Sequence, residues 1–91
     1  MQIVISRQSL HIFQSLMNEP AAAPFVLKVL RAIAQDPTRH GRAFHAAAPP
    51  SGKTRIDVAA LSGDRQLWLL WNPGIDPIEV LLFVHLPVHR P

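Results

Sequence analysis

From Arg55 onward the chain runs through three apolar-rich stretches separated by two breaks. In the first, Arg55 to Leu61, Ile56, Val58 and Ala60 alternate with Arg55, Asp57 and Ala59, which is the period of a half-buried strand. Ser62-Gly63-Asp64 predicts a tight reversal, because glycine tolerates positive φ and an aspartate closes a local hydrogen bond. The second stretch, Arg65 to Trp71, is apolar on both sides, with Leu67, Leu69 and Trp71 alternating with Trp68 and Leu70. Asn72-Pro73-Gly74 ends it, since proline lacks the donor a ladder requires, and Ile78 to Leu86 forms a third stretch before Pro87. Breaks of hairpin length predict an antiparallel meander.

The first half changes period. Met1 to Ile5 predicts a leading strand, at the sheet edge or along the last strand. Ser6 is placed to cap a helix with its hydroxyl. Ile12, Phe13, Leu16 and Met17 then recur at three- and four-residue spacing, the buried stripe of a helix over Arg7 to Met17. Asn18-Glu19-Pro20 interrupts, and a second helix follows with Pro24 near its first turn, where a missing donor costs nothing. Val26, Val29, Leu30 and Ile33 form its stripe until Asp36-Pro37 stops it. His40-Gly41-Arg42-Ala43-Phe44-His45 is a basic connector able to become a short strand. Residues 46–54, AAAPPSGKT, predict a mobile loop, with two prolines, a glycine and little to bury.

The fold class expected is therefore α+β: an N-terminal strand and a helical hairpin packed on one face of a small, mainly antiparallel sheet, in a single domain over residues 1–91. This arrangement leaves a surplus. Two short helices cover one face, yet Trp68, Leu70, Leu81 and Phe83 give the other face large apolar groups as well. Such a surface predicts a protein partner or a homodimer, unless the loop and the chain ends fold over it.

Composition narrows the classes. The chain has 91 residues, too few for two cores. With no cysteine, a disulfide framework, thiol catalysis and thiolate metal sites are excluded. Apolar runs are broken well before membrane-spanning length and no leader pattern opens the chain, so a cytoplasmic protein without membrane contact is expected. The net charge of +3 comes from nine Lys and Arg against six Asp and Glu, and seven of the nine are Arg. Arginine grips phosphate and carboxylate through two parallel bonds, which favours an anionic partner, although a solvated surface explains the excess equally well.

Two local motifs are weak on geometry. Gly52-Lys53-Thr54 ends like a phosphate-binding loop, but Ala47 stands where the first glycine belongs and a strand follows instead of a helix. The pairs His40/His45 and His85/His89 are at least four residues apart, roughly 13 Å along an extended strand, too far to share one ion unless the chain bends, as Pro87 allows for the second pair, and no HExxH pattern or acidic cluster supports a metal. No metal or other cofactor is expected.

Taken together, the leading strand, the helical hairpin ending in Ile33-Ala34-Gln35-Asp36-Pro37, His40-Gly41-Arg42, the turn Ser62-Gly63-Asp64-Arg65 and a closing strand with His85 resemble the RelE/ParE superfamily of bacterial toxins over almost the whole chain. The resemblance implies a toxin held inactive by an antitoxin protein. Some members cleave messenger RNA on the ribosome without a metal, a 2′-hydroxyl attacking the adjacent phosphate; others inhibit DNA gyrase. On the first pattern Arg65 matches the Ser-Gly-x-Arg position and would hold the scissile phosphate, while His85 and His89 would move protons. Lys53, Arg55, Arg42 and Arg90 would supply positive charge for RNA.

The chain also departs from that pattern. Ile56 and Val58 stand where RNA-cleaving members tend to carry lysines, Asp64 replaces an aromatic residue, and there is no tyrosine. The leading expectation is a ribosome-dependent endoribonuclease. Its alternatives are a non-enzymatic gyrase inhibitor of the same fold and a dimerising domain without toxicity.

Overall fold

The computed structural model describes residues 2–44 and 54–86. The expected loop at 46–54 thus lies outside the described residues except for Thr54. The elements in chain order are β1 (Ile3–Ile5), a 3-10 turn at Arg7–Ser9, α1 (Leu10–Met17), α2 (Ala23–Gln35), β2 (Arg42–Ala43), β3 (Arg55–Ala60), a second 3-10 turn at Ser62–Asp64, β4 (Gln66–Trp71) and β5 (Ile78–His85). This is the α+β class expected.

The strands form one sheet in the order β1-β5-β4-β3-β2. β3, β4 and β5 make the antiparallel meander, and β2 adds to β3 antiparallel. β1 runs parallel to β5, with Ile3 opposite Ile78 and Ile5 opposite Val80. The connection between this parallel pair is long, running through the helical hairpin and then β2, β3 and β4 before β5 returns beside β1.

Both helices lie on one side. Leu16, Val26, Leu30 and Ile33 project from them onto Ala59, Leu67, Leu69, Trp71, Ile78, Val80 and Leu82, which together make the core. Pro24 falls in the first turn of α2, as its missing donor allows.

Ser6 does not cap the first helix. Its side chain makes no capping bond; its amide donates to Val80 O at 2.9 Å, extending the strand pairing, and its carbonyl accepts from Ser9 at 2.8 Å to start the 3-10 turn. The buried hydroxyl that matters belongs to Ser9. It accepts from Leu82 N–H at 2.8 Å and donates to Leu82 O at 3.3 Å. One side chain thereby satisfies both main-chain groups of a β5 residue just beyond the reach of β1, where an unpaired buried amide or carbonyl is costly.

The Ser62–Asp64 turn has Gly63 at φ 72° and Asp64 at φ 61°, and Leu61 N–H closes it on Arg65 O at 2.8 Å. The left-handed conformation at successive positions is what the Gly-Asp pair supplies at low steric cost.

Candidate functional site

The faces of β3 are assigned against hydropathy. Register places Arg55 opposite Trp71, Asp57 opposite Leu69 and Ala59 opposite Leu67, so the polar-bearing side of β3 faces the helices. Ile56 and Val58 share the other, open side with Leu70 and Trp68. The charged groups tolerate this because each is met by a partner from the segment after α2. His40 Nε2–H donates to Asp57 Oδ2 at 2.7 Å, with both side chains 28 % exposed, and the His40 ring lies 5.9 Å from that of Trp71. Trp71 in turn donates its indole N–H to Pro37 O at 2.8 Å.

Arg55 closes the same cluster. Its Nε donates to His40 O at 2.8 Å, and its Nη2 to Gly41 O at 3.0 Å and Arg39 O at 3.2 Å. Gly41 sits at φ +70°, and a Cβ there would come within 2.4 Å of Ile56 O, so the close approach of this segment to β3 requires glycine. Arg55, expected at the RNA, points its donors at three consecutive carbonyls and ties the 39–41 segment to the sheet.

Arg65 is equally engaged. Its guanidinium donates to both Glu19 oxygens, at 2.6 and 3.1 Å, to Ser62 O at 2.9 Å and to Ser62 Oγ at 3.1 Å. The two-pronged hydrogen bonding holds the Glu19 carboxyl below the usual carboxylate range and raises the Arg65 guanidinium further. The fork that would clamp a phosphate already holds a carboxylate. Glu19, from the link between α1 and α2, is 46 residues away in the chain and carried no local signal.

His85 lies elsewhere. Its Cα is opposite Gln66, and its ring sits 5.9 Å from that of Trp68, on the open side of the sheet. Arg65, one position before Gln66, turns to the helical side to reach Glu19. The arginine and the histidine expected to act on one phosphate therefore leave opposite faces. Arg42 is exposed on β2. Lys53, His89 and Arg90 lie outside the described residues, as does His45. Among the described residues no three His, Cys, Asp or Glu side chains gather as a metal site. No helix among them is long and apolar enough to cross a membrane.

What the fold does assemble is the open face. Val4, Leu70 and Leu81 line a shallow groove of about 430 Å³, bounded by Ile75 and Pro77 at one end. Farther along β5, Phe83 is 49 % exposed, and Ile75 and Leu86 reach 58 % and 62 %. Glu79 and Arg7 border this apolar strip beside Leu81. Its chemistry is that of a docking surface for apolar side chains, with charges at the rim.

No protein-family model, curated protein or solved structure matches this chain. Fold and surface together define a small α+β domain with one sheet face covered by helices and, among the described residues, an apolar second face without them.

Proposed function

We propose that this protein is a cytoplasmic interaction domain of the toxin-like kind implied by its resemblance to the RelE/ParE superfamily, and that it works by binding a partner protein through the open face of its sheet. The observation that carries the reading is the contiguous apolar strip of Val4, Leu70, Leu81 and Phe83, larger in character than scattered surface apolar residues. The partner is an antitoxin, or the cellular target that the antitoxin keeps it from. A net charge of +3 favours an acidic partner.

A binding mode is favoured over RNA cleavage by two features. The Arg65 fork is occupied by Glu19 and Ser62 through four of its five donors, and His85 projects from the opposite face. Nuclease action would require Glu19 to release Arg65 and a proton donor on the helical side.

Induced expression in a bacterium lacking the partner tests the choice, with growth followed and transcript 5′ ends mapped for wild type, Arg65→Ala and Phe83→Asp. The binding reading expects growth arrest without in-frame transcript cleavage, abolished by Phe83→Asp. In-frame cleavage lost in Arg65→Ala restores the ribosome-dependent nuclease. Absence of arrest in wild type leaves a non-toxic domain of the same fold.

A further inference from the structure

The outer edge of β3 is open where it is needed least. In the β3–β4 pair, Leu61 N–H bonds to Arg65 O, which fixes the odd-numbered residues of β3 as those whose main-chain groups face β4. The even-numbered ones face outward. Phe44 N–H to Thr54 O and the register of Arg42 with Ile56 continue that pattern, so β2 satisfies the outward groups at one end. Beyond Arg42 the chain leaves the sheet at Gly41. The N–H and C=O groups of Val58 and Ala60 thus point away from β4 with no strand beside them among the described residues.

Edge strands are ordinarily blunted by a charge, a proline or a bulge. Among the described residues none of these stands on Val58 to Ala60 itself. Asp57, the charged neighbour of Val58 on the strand, is turned to the helical side and taken by His40. Small residues, Ala59 and Ala60, stand at the edge. On the helical side Ala60 and Leu61 border a depression of about 200 Å³ that also includes Ala21 and Phe25, and Phe25 is 40 % exposed.

The geometry points to a second copy of this chain as the occupant of this edge, paired antiparallel about a two-fold axis at Ala59. The edge is self-complementary. Two outward-facing residues flank one inward-facing residue, so the two-fold places Val58 opposite Ala60 of the copy and Ala60 opposite its Val58, and all four main-chain groups of each copy find partners. The length also fits. In this register the copy's strand reaches Leu61 opposite Asp57 and then turns away at Ser62–Asp64, just short of the position that Arg42 occupies opposite Ile56. That turn brings the exposed Asp64 of one copy to the neighbourhood of the exposed Arg42 of the other, opposite charges at both ends of a short ladder. The result is one continuous ten-stranded sheet, with all helices on one side and two open faces joined on the other.

This pairing does not depend on what the open face binds. Sedimentation or light scattering of the purified full-length chain over a wide concentration range tests it, with Ala60→Pro, Ala60→Lys and Phe83→Asp alongside. Proline at 60 removes only an outward donor and leaves the β4 ladder intact. Lysine covers the case in which the proline variant fails to fold, and far-ultraviolet circular dichroism shows which variants are folded.

The expected result is a concentration-dependent rise from 10.1 kDa toward twice that mass. Folded Ala60→Pro or Ala60→Lys should stay at monomer mass, and Phe83→Asp should dimerise as wild type does. A wild-type chain that remains monomeric up to its solubility limit overturns the proposal and assigns the edge, if used, to a foreign strand. A dimer broken by Phe83→Asp but not by the Ala60 variants also overturns it, placing self-association on the open face.

Discussion

The two faces of this sheet are built from the same three strands and are handled in opposite ways. On the helical side even the charged and polar groups are absorbed: Asp57 meets His40, Arg55 meets three carbonyls, the Trp71 indole meets Pro37 O, and Ser9 completes β5. On the open side, apolar residues of similar size, among them Trp68, Leu70, Leu81 and Phe83, have no helix over them among the described residues. Which side faces the helices does not follow the hydropathy of individual residues: Arg55, Asp57 and Ala59 turn toward them, while Ile56, itself buried, and Val58 turn away. Alternation along β3 would send Ile56 and Val58 inward and Asp57 outward. The helices sit on the Asp57 side because the long apolar runs of β4 and β5 allow either face to be covered, and the 36–41 segment carries the partners that make the polar side habitable.

If that contrast is correct, truncations on the helical side should cost stability and those on the open side should cost only binding. Trp71→Ala should have the largest effect, about 3–5 kcal/mol, from lost packing and a cavity beneath His40, read as a fall in the urea midpoint. Ser9→Ala removes few atoms but orphans the Leu82 N–H and C=O. It should cost about 1–3 kcal/mol and raise the exchange rate of the Leu82 amide.

Arg55→Lys sharpens the comparison further. A lysine keeps the charge but cannot serve three carbonyls from a planar fork, so a loss of about 1 kcal/mol is expected at constant net charge. An unchanged midpoint would mean that the arginine is not a staple of the 39–41 segment and return it to the pool of residues free for RNA.

The Glu19–Arg65 pair is more exposed, and its effect should be smaller and conditional. Because the Glu19 carboxyl is held below its ordinary range, the pair adds stability above that range and loses it as pH falls through the folded-state value. The midpoint difference between wild type and Glu19→Gln should therefore be greatest near neutrality, shrink toward acid pH, and be diminished by salt. Smallest of all on stability should be Phe83→Asp, within about 0.5 kcal/mol, with binding to the partner lost. A large destabilisation there would show that the open face is part of the core and end the contrast between the two sides.

Much of the architecture was legible in the residues. The three-strand meander, the stripes Ile12–Phe13–Leu16–Met17 and Val26–Leu30–Ile33, the glycine turn before Arg65 and the presence of a leading strand, at an edge or along the last strand, all follow from periodicity and turn chemistry, which act over a few neighbours. The excess of apolar surface was legible too, since two short helices cannot cover two faces. The helix cap at Ser6 was misplaced because a strand carbonyl, Val80 O, claimed that residue's amide and the useful hydroxyl lay three positions on.

The arrangement of the polar groups was not legible. Arg65 reads as a free cation after a turn until Glu19 arrives from the far side of the hairpin; His40 reads as part of a basic connector until Asp57 arrives from β3; Arg55 reads as surface charge until three carbonyls curl around it. By itself the sequence determined the elements, their order and the amount of apolar surface to be hidden, since these depend on local spacing and on the size of the chain. Only the tertiary structure decided which face was hidden, which charges were consumed in holding the fold, and that Arg65 and His85 stand on opposite sides of the sheet, because partnerships between residues dozens of positions apart depend on register and packing and leave no periodic trace in the chain.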